Sequence, residues 1–174
     1  FSFNSGKGRC QTCNGEGVEK VEMQFLSDVY LPCPDCEGRR FGSEVLSVTW
    51  QGKSIADVLD LTVDTAREVF ADRREIVEPL RALVDVGLGY LRLGQSLNTL
   101  SGGESQRLKL ASHLSLARSG KAGQPSLLLL DEPTVGLHTS DIETLMLALY
   151  QLVEHGHTVI SIEHNLQVIA CSDY

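Results

Sequence analysis

The chain has 174 residues, of which 42% are hydrophobic and 22% charged, and this composition is typical of globular proteins rather than disordered ones. No stretch approaches the roughly 18 apolar residues that a membrane span requires. The net charge of -8 argues against a broad basic face for nucleic acid, although it leaves room for a local basic patch.

Four cysteines near the start of the chain form two C-x-x-C pairs that are separated by nineteen residues. This spacing is typical of a zinc site in which each pair points two thiolates at one ion. Glycines follow both pairs and supply the backbone freedom of a tight turn. The sequence therefore predicts Zn²⁺ bound by Cys10, Cys13, Cys33 and Cys36. Two disulfides in a secreted protein are the alternative, which nothing else in the chain supports.

Between the two pairs, residues 18–25 alternate apolar and polar side chains, which predicts a β-ribbon. The first module is therefore expected to be a β-hairpin clamped by zinc. The fifth cysteine, Cys171, stands beside apolar residues and is expected to be buried and without a function.

Helical patterns dominate the middle of the chain after a predicted strand at residues 45–50. Ser54 and Thr62 precede apolar residues at helical spacing and are expected at the N-terminal ends of two helices. A third helix is predicted from about Glu75 to Val86. The apolar stripes of these helices indicate a hydrophobic core.

The segment around residue 102 predicts a helix N-terminus that suits an anion. Ser101 and Glu104 form the pattern of a capping box, and Gly102 and Gly103 leave the first backbone N–H groups free of side chains. Free N–H groups at the positive end of a helix dipole favour phosphate. From the glycines alone, an ordinary glycine-rich helix start is an equally good interpretation.

Two acidic residues follow the run of four leucines at residues 127–130, which predicts a buried parallel strand. Because α/β proteins bind ligands at the C-terminal edge of such strands, Asp131 is a candidate for holding Mg²⁺ and Glu132 for polarising an attacking water. A surface turn with two acids is the alternative, and it does not explain the leucines that lead into them.

The end of the chain predicts a βαβ unit. An amphipathic helix is expected before Gly156, and the β-branched residues 158–162 predict a second strand parallel to the first. Glu163 and His164 follow this strand, so the imidazole of His164 should reach the same sheet edge as Asp131 and Glu132. His164 is thus a candidate for sensing a phosphate.

These motifs together resemble those of ABC-type ATPases. LSGGESQR is similar to the signature motif, LLLLDEPT to the Walker B strand, and the strand-end Glu-His to the switch histidine. With FSFN at its head, VEMQFLSDVYLPC between the cysteine pairs and LVDVGLGYLRLGQSLNTLSGGE further on, nearly the whole chain resembles the second nucleotide-binding half of the UvrA family. These are the damage-recognition ATPases of bacterial nucleotide excision repair.

The resemblance implies an α/β fold: an ABC-type ATPase sheet with flanking helices and without its P-loop part, a helical signature subdomain and the zinc-clamped β-hairpin module. The implied modules are a zinc knuckle at 1–44, the helical signature subdomain at 45–120 and the Walker B and switch part at 121–174. The resemblance implies that Ser101, Gly102 and Gly103 contact the γ-phosphate. It implies that Asp131 positions Mg²⁺, that Glu132 activates water and that His164 senses the γ-phosphate. It also implies a Q-loop role for Gln51.

The resemblance also implies partners and cofactors. The family's zinc module lies near its DNA-binding surface, which makes candidate phosphate contacts of Lys7, Arg9, Lys20, Arg39 and Arg40, with an exposed solvated face as the alternative. Expected cofactors are structural Zn²⁺, ATP and Mg²⁺. Expected partners are damaged double-stranded DNA, a second UvrA subunit and a UvrB-type helicase subunit, with no membrane. The resemblance further implies a cytoplasmic excision nuclease that belongs to the SOS response.

The sequence lacks one motif that an ATPase needs. No G-x-x-x-x-G-K-[ST] occurs, so we expect the P-loop to lie upstream in a longer chain and this piece to be inactive alone. Most ABC proteins have Asp at the position of His138, whereas UvrA-like members have His there. Two alternatives stay open: a UvrA-like antibiotic-resistance ATPase, and a DnaJ-like zinc module that binds unfolded polypeptide, since the cysteine pairs with their glycines also resemble that family.

Overall fold

The computed structural model describes residues 2, 6–23, 28–119 and 124–173. The described chain is mixed α/β, as expected, and forms two compact units, Phe1–Asp60 and Leu61–Tyr174. This division differs from the three modules implied above, whose boundaries at residues 44 and 120 stay a prediction; residue 120 lies outside the described part of the chain.

Within its described residues, the first unit contains two small antiparallel pairs and two short helices. Its elements are β1 (Val18–Val21), β2 (Val29–Pro32), α1 (Ser43–Leu46), β3 (Thr49–Trp50), β4 (Lys53–Ser54) and α2 (Ile55–Asp60). β1 pairs with β2, which confirms a ribbon between the cysteine pairs over Val18–Val21, whereas residues 22 and 23 of the predicted stretch lie outside the strands. Residues 24 and 25 of the predicted ribbon lie outside the described part of the chain.

The predicted strand at residues 45–50 is wrong over its first four residues. The backbone N–H groups of Val45 and Leu46 both donate to the carbonyl of Gly42, and this closes the helical turn α1. Only Thr49–Trp50 is a strand, and it pairs with β4. Apolar spacing over six residues does not distinguish a short strand from one helical turn.

The second unit contains the predicted helices and the βαβ unit. Its elements are α3 (Val63–Val69), α4 (Arg74–Asp85), a 3₁₀ turn (Leu97–Thr99), α5 (Gly102–Arg118), β5 (Leu127–Asp131), α6 (Thr139–Glu154), β6 (Thr158–Ile162) and α7 (Leu166–Ala170). β5 and β6 pair in parallel, which confirms the predicted crossover. The side chain of Thr62 accepts a hydrogen bond from the Thr65 N–H, as expected of an N-cap.

The core of the second unit lies where α4, α5 and α6 meet. Its fully buried side chains include Leu88, Leu110, Leu114, Leu145 and Leu152. Arg118 closes one end of this core: its Nη1 pairs with Asp85 of α4, and its Nε and Nη2 donate to the Gln151 Oε1 of α6. The packing of these helices fixes the positions of β5 and of the start of α5, and both elements contribute residues to the site described below.

The strand predicted to be buried is buried on one face only. Leu130 of β5 is 5% exposed, whereas Leu127 and Leu129 on the other face are 57% and 68% exposed. The Ile160 and Ile162 side chains of β6 extend this exposed apolar face. Two strands do not define the sheet of an ABC-type ATPase, which therefore stays a proposal.

Cys171 is exposed, so the expectation that it is buried is wrong. It follows the short helix α7, and its carbonyl accepts a hydrogen bond from the Tyr150 hydroxyl at 2.7 Å. Among the described helices, none has the length and apolar character needed to cross a membrane.

Truncation of a buried side chain of α5 should destabilise the second unit. We expect Leu114→Ala, at a site with no exposed surface, to lower the free energy of unfolding by about 2–5 kcal/mol because a cavity replaces packed atoms. Leu116→Ala is the matched control on the same helix, since Leu116 is 46% exposed; it should change stability by about 0.5 kcal/mol or less. Urea unfolding followed by circular dichroism compares them, and equal losses would contradict the described packing.

Candidate metal centre and strand-edge site

The four cysteines of the paired motifs converge in the first unit. Their sulfur atoms all lie within 4.8 Å of one another, and the Sγ–Sγ separations are 3.9 Å for Cys10 and Cys33 and 3.7 Å for Cys13 and Cys36. A tetrahedral ion with Zn–S bonds of about 2.3 Å requires sulfurs about 3.8 Å apart. A disulfide requires about 2.05 Å. The arrangement therefore suits a metal ion, and the disulfide alternative is not formed.

The two cysteine turns have the same construction at an offset of 23 positions. The Cys10 N–H donates to the Arg40 carbonyl at 2.8 Å, and the Cys33 N–H donates to the Gly17 carbonyl at 3.0 Å, so the turns exchange equivalent bonds. The same positions in each turn have positive φ: Asn14, Gly15 and Gly17 in the first, and Glu37, Gly38 and Arg40 in the second. The recurring C-x-x-C-x-G was the signal for this internal repeat, which the sequence analysis missed.

Gly17 is required at the contact between the two turns. Its φ is +79°, and a Cβ there would lie 2.8 Å from the Gly38 carbonyl oxygen. The Gly17 N–H also donates to the Cys13 Sγ at 3.2 Å. The glycine therefore lets the two cysteine turns approach closely and places a backbone donor against one of the sulfurs.

Two of the thiols have pKa values shifted in opposite directions. Hydrogen bonding by the backbone of Cys13 lowers the pKa of Cys10 to about 7, whereas burial raises the pKa of Cys36 to about 12. Because zinc takes thiolates, its binding at neutral pH must release a proton from Cys36. Metal affinity should therefore rise with pH.

Acidic neighbours offset two of the five basic residues proposed to contact DNA. The Lys20 ammonium lies 2.9 Å from Asp28 and 3.2 Å from Glu22, and the hydrogen bond with Asp28 is the main cause that raises the pKa of Lys20. Arg39 is paired with Glu37 at 3.0 Å. Both cations keep exposed surface, yet their charges are partly balanced.

The other three basic residues differ in their surroundings. Arg40 belongs to the second cysteine turn and has a φ of 68°. Lys7 and Arg9 line a groove of about 640 Å³ together with Arg39, and the acidic residues Asp35 and Glu44 also contribute to its wall. Three of the five candidates therefore share one surface, and Lys20 and Arg40 are not among its lining residues.

The parallel strands bring the catalytic candidates together in the second unit. Asp131 pairs with Ile162, and the Glu132 N–H donates to the Ile162 carbonyl at 2.9 Å, one residue beyond the ladder. The His164 Nε2 lies 3.3 Å from the Glu132 Oε1, and both side chains are accessible to solvent. The predicted meeting of carboxylate and imidazole at this edge is therefore formed.

Glu163, to which the sequence analysis gave no role, connects the two segments that carry these groups. Its Oε1 accepts bonds from the backbone N–H and the hydroxyl of Thr134 at 3.0 and 2.8 Å. Its Oε2 accepts bonds from the N–H groups of His164 and Asn165 at 3.2 and 3.4 Å. An acid directly before the histidine was the only sequence signal for this connection.

The N-terminus of α5 has the predicted capping box. The Glu104 N–H donates to the Ser101 hydroxyl at 3.2 Å, and the Ser101 N–H donates to the Glu104 carboxylate at 2.7 Å. The Tyr90 hydroxyl also donates to this carboxylate, and these bonds lower the pKa of Glu104. A Cβ on Gly102 would meet no atom within 4 Å, so the first turn of α5 is open to a ligand.

Two further residues of α5, which the sequence analysis did not single out, hold the turn that follows β5. Arg107 is only 2% exposed, and its Nη1 donates to the carbonyls of Pro133 and Val135 at 3.1 and 3.4 Å. The Gln106 amide, oriented to match its partners, bonds the N–H and carbonyl of Asp131 at 2.7 and 3.0 Å. α5 is thus attached to the turn that carries Glu132.

Gln51 lies in the turn between β3 and β4, where its φ is 50°. This places it in the first unit, whereas Asp131, Glu132 and His164 belong to the second. Its Q-loop role stays a prediction.

The chain thus combines a four-cysteine cluster of zinc geometry with a parallel strand pair that ends in carboxylates and an imidazole. No protein-family model matches it. UvrABC system protein A from Clostridium perfringens and from Vibrio cholerae serotype O1 are each 54% identical to it over 174 residues, which is 100% of this chain and 18% of each relative. The corresponding protein of Staphylococcus aureus is 53% identical over the same share.

A solved structure agrees with these relatives. The crystal structure of UvrA2 from Deinococcus radiodurans matches 99% of this chain and 21% of its own, with a TM-score of 0.88 and 51% identity. The resemblance to the UvrA family is therefore confirmed: the chain is UvrA-like through the cysteine turns, α5 and both strands. It spans about 18% of the length of the curated relatives it matches.

Removal of one cysteine should abolish the metal centre. We expect Cys33→Ser to reduce bound zinc from one equivalent to less than half an equivalent, since three thiolates cannot complete the tetrahedron. Amide exchange across residues 10–40 should rise while the helices of the second unit stay protected. The matched control is Cys171→Ser, which removes the exposed cysteine and should retain the metal. Wild-type protein purified without chelators that holds less than half an equivalent of zinc would contradict the site.

Proposed function

We propose that this chain is the zinc-module and ATP-hydrolysis region of a UvrA-type ATPase that recognises damaged DNA in nucleotide excision repair. The observation that carries the proposal is the contact between Glu132 and His164 at the C-terminal edge of two parallel strands, in a chain that is UvrA-like over its whole length. An ABC-type sheet is part of this proposal, with β5 and β6 as two of its strands.

The residues at the strand edge suit a nucleotide and its metal. Asp131 would hold Mg²⁺, which when bound neutralises charge on phosphate oxygens. The Glu132 carboxylate would take a proton from the attacking water, and the His164 Nε2 would donate to a γ-phosphate oxygen. The contact of 3.3 Å between Glu132 and His164 supports this division of roles, because it places a base and a donor side by side.

The start of α5 would serve a second nucleotide, held by an opposing ATPase half. Ser101, Gly102 and Gly103 would present backbone N–H groups and the positive helix end to its γ-phosphate. The open space at Gly102 supports this role. Since the sequence contains no P-loop motif, the rest of each nucleotide cradle would come from other parts of the UvrA-type protein.

Zinc would have a structural role in the first unit. Cys10, Cys13, Cys33 and Cys36 would be its four ligands, and a closed set of four protein ligands leaves no position for a substrate. The sulfur separations and the burial of all four cysteines support this assignment. The ion would then fix the base of the β1–β2 hairpin.

DNA would bind near the cysteine turns. The groove lined by Lys7, Arg9 and Arg39 supports this placement, because it gathers three cations on one surface of an otherwise acidic chain. Lys20, which is paired with two acids, and Arg40, which forms part of a cysteine turn, are weaker candidates for phosphate contact. The UvrA family also suggests a second UvrA subunit, a UvrB-type helicase and a cytoplasmic location.

Replacement of Glu132 tests the hydrolytic role. In a full-length UvrA-type protein carrying this chain, with its other ATP site disabled, we expect Glu132→Gln to keep ATP binding and to slow hydrolysis by roughly 10²- to 10⁴-fold, as when a general base is lost. Glu68→Gln on the exposed face of α3 is the matched control and should not change turnover. Unchanged hydrolysis in the Glu132 variant would exclude this carboxylate from the reaction.

A charge at Gly102 tests the composite site. Because the position is open, Gly102→Ala should be tolerated, whereas Gly102→Asp places a carboxylate where the γ-phosphate is expected. We expect Gly102→Asp, but not Gly102→Ala, to prevent ATP-driven closure of the two halves, which crosslinking measures. Nucleotide affinity, measured by titration, should stay largely unchanged in both variants. If both variants close and hydrolyse like wild type, α5 does not contact nucleotide. ATP hydrolysis by the 174-residue chain alone would also contradict the composite site.

A further inference from the structure

We propose that Glu163 is a positioning residue for ATP hydrolysis, whose carboxylate ties the turn after β5 to the loop that carries His164. This inference rests on the proposed function, because it assigns Glu163 the task of keeping Glu132 and His164 in reach of each other. Glu163 itself does not contact the reacting atoms in this assignment. It acts through the two segments that it joins.

Each oxygen of the Glu163 carboxylate accepts hydrogen bonds from a different segment. Oε1 accepts two bonds from Thr134, and Oε2 accepts bonds from the N–H groups of His164 and Asn165. Thr134 and Glu163 are 29 positions apart, so the contact joins the ends of both strands. No other described residue is shown bonding both segments through its side chain.

A carboxylate is the group that this position demands. All four partners are donors, and only an ionised acid offers acceptors on both oxygens. The glutamine amide would turn its NH₂ group towards one pair of donors and release either Thr134 or the His164 loop. Because Thr134 is only 8% exposed, its donors would have little access to water as a replacement.

The backbone at Glu132 explains why such a tie is needed. Glu132 has a φ of 46°, a left-handed conformation that is costly for a residue with a side chain and persists only where the surroundings hold it. Its N–H donates to Ile162, and its carbonyl accepts from the Val135 N–H at 3.1 Å. Thr134 lies within this turn, so the Glu163 bonds hold the same strained segment.

The turn is also held from α5, and this contact lets damage to the fold be distinguished from misalignment of Glu132 and His164. Arg107 is buried and bonds Pro133 and Val135, so its removal should damage folding. Glu163 is half-buried, bonds Thr134 between these two residues, and leads directly to His164. Its removal should therefore loosen the alignment of the catalytic pair more than the fold.

The test uses Glu163→Gln, Thr134→Val and Thr134→Ser in a full-length UvrA-type protein carrying this chain. We expect Glu163→Gln to lower kcat by roughly 10- to 100-fold, as for a displacement of about 1 Å in a catalytic group, with little change in the KM for ATP. Thr134→Val, which loses one donor, should have a smaller effect in the same direction. Thr134→Ser retains the hydroxyl and should keep wild-type turnover.

A double variant distinguishes alignment from general damage. Because Glu163 acts on the pair that Glu132 forms with His164, the combined loss of Glu163→Gln and Glu132→Gln should be smaller than the product of the two single losses. Multiplying losses would overturn the inference, as would unchanged kcat in Glu163→Gln when Glu132→Gln is slow. Unchanged hydrolysis in Glu132→Gln instead overturns the proposed function. Should Glu163→Gln not fold, the comparison of Thr134→Val with Thr134→Ser decides, since equal activity of the two would contradict the tie.

Discussion

The parallel pairing of β5 with β6 is the constraint on which the second unit depends. It sets Asp131 opposite Ile162, and the next backbone bond, from Glu132 to Ile162, brings the two chain segments out of the sheet side by side. A shift of one residue in this register would turn Glu132 to the other face and away from His164. The α6 crossover and the core beneath it hold the register in place.

The turn after β5 is a meeting point for side chains from distant parts of the sequence. Arg107 and Gln106 approach it from α5, and Glu163 approaches it from the end of β6. A residue in an unfavourable backbone conformation, Glu132, lies between them. In the function proposed above, this arrangement would connect the helix proposed to face one nucleotide with the groups proposed to act on another.

Patterns that depend on neighbouring residues were predictable from the sequence. The cysteine spacing, the capping box of Ser101 with Glu104 and the β5–α6–β6 unit are all formed. The contacts of Arg107 and Glu163 were not predictable, because their distant partners are backbone groups and a threonine hydroxyl, which belong to no motif, unlike the paired cysteines. The exposed face of β5 was missed for a related reason, since a run of leucines indicates burial without specifying what covers the strand.

The exchange of backbone bonds between the two cysteine turns has a consequence for how the first unit assembles. The Cys10 N–H finds its acceptor in the second turn and the Cys33 N–H finds its acceptor in the first, so neither turn is complete by itself. The intervening chain must close before either half is stable, and closure costs entropy that only the finished cluster offsets. Loading with metal should then be all-or-none, without a long-lived state in which one pair of thiolates holds the ion alone.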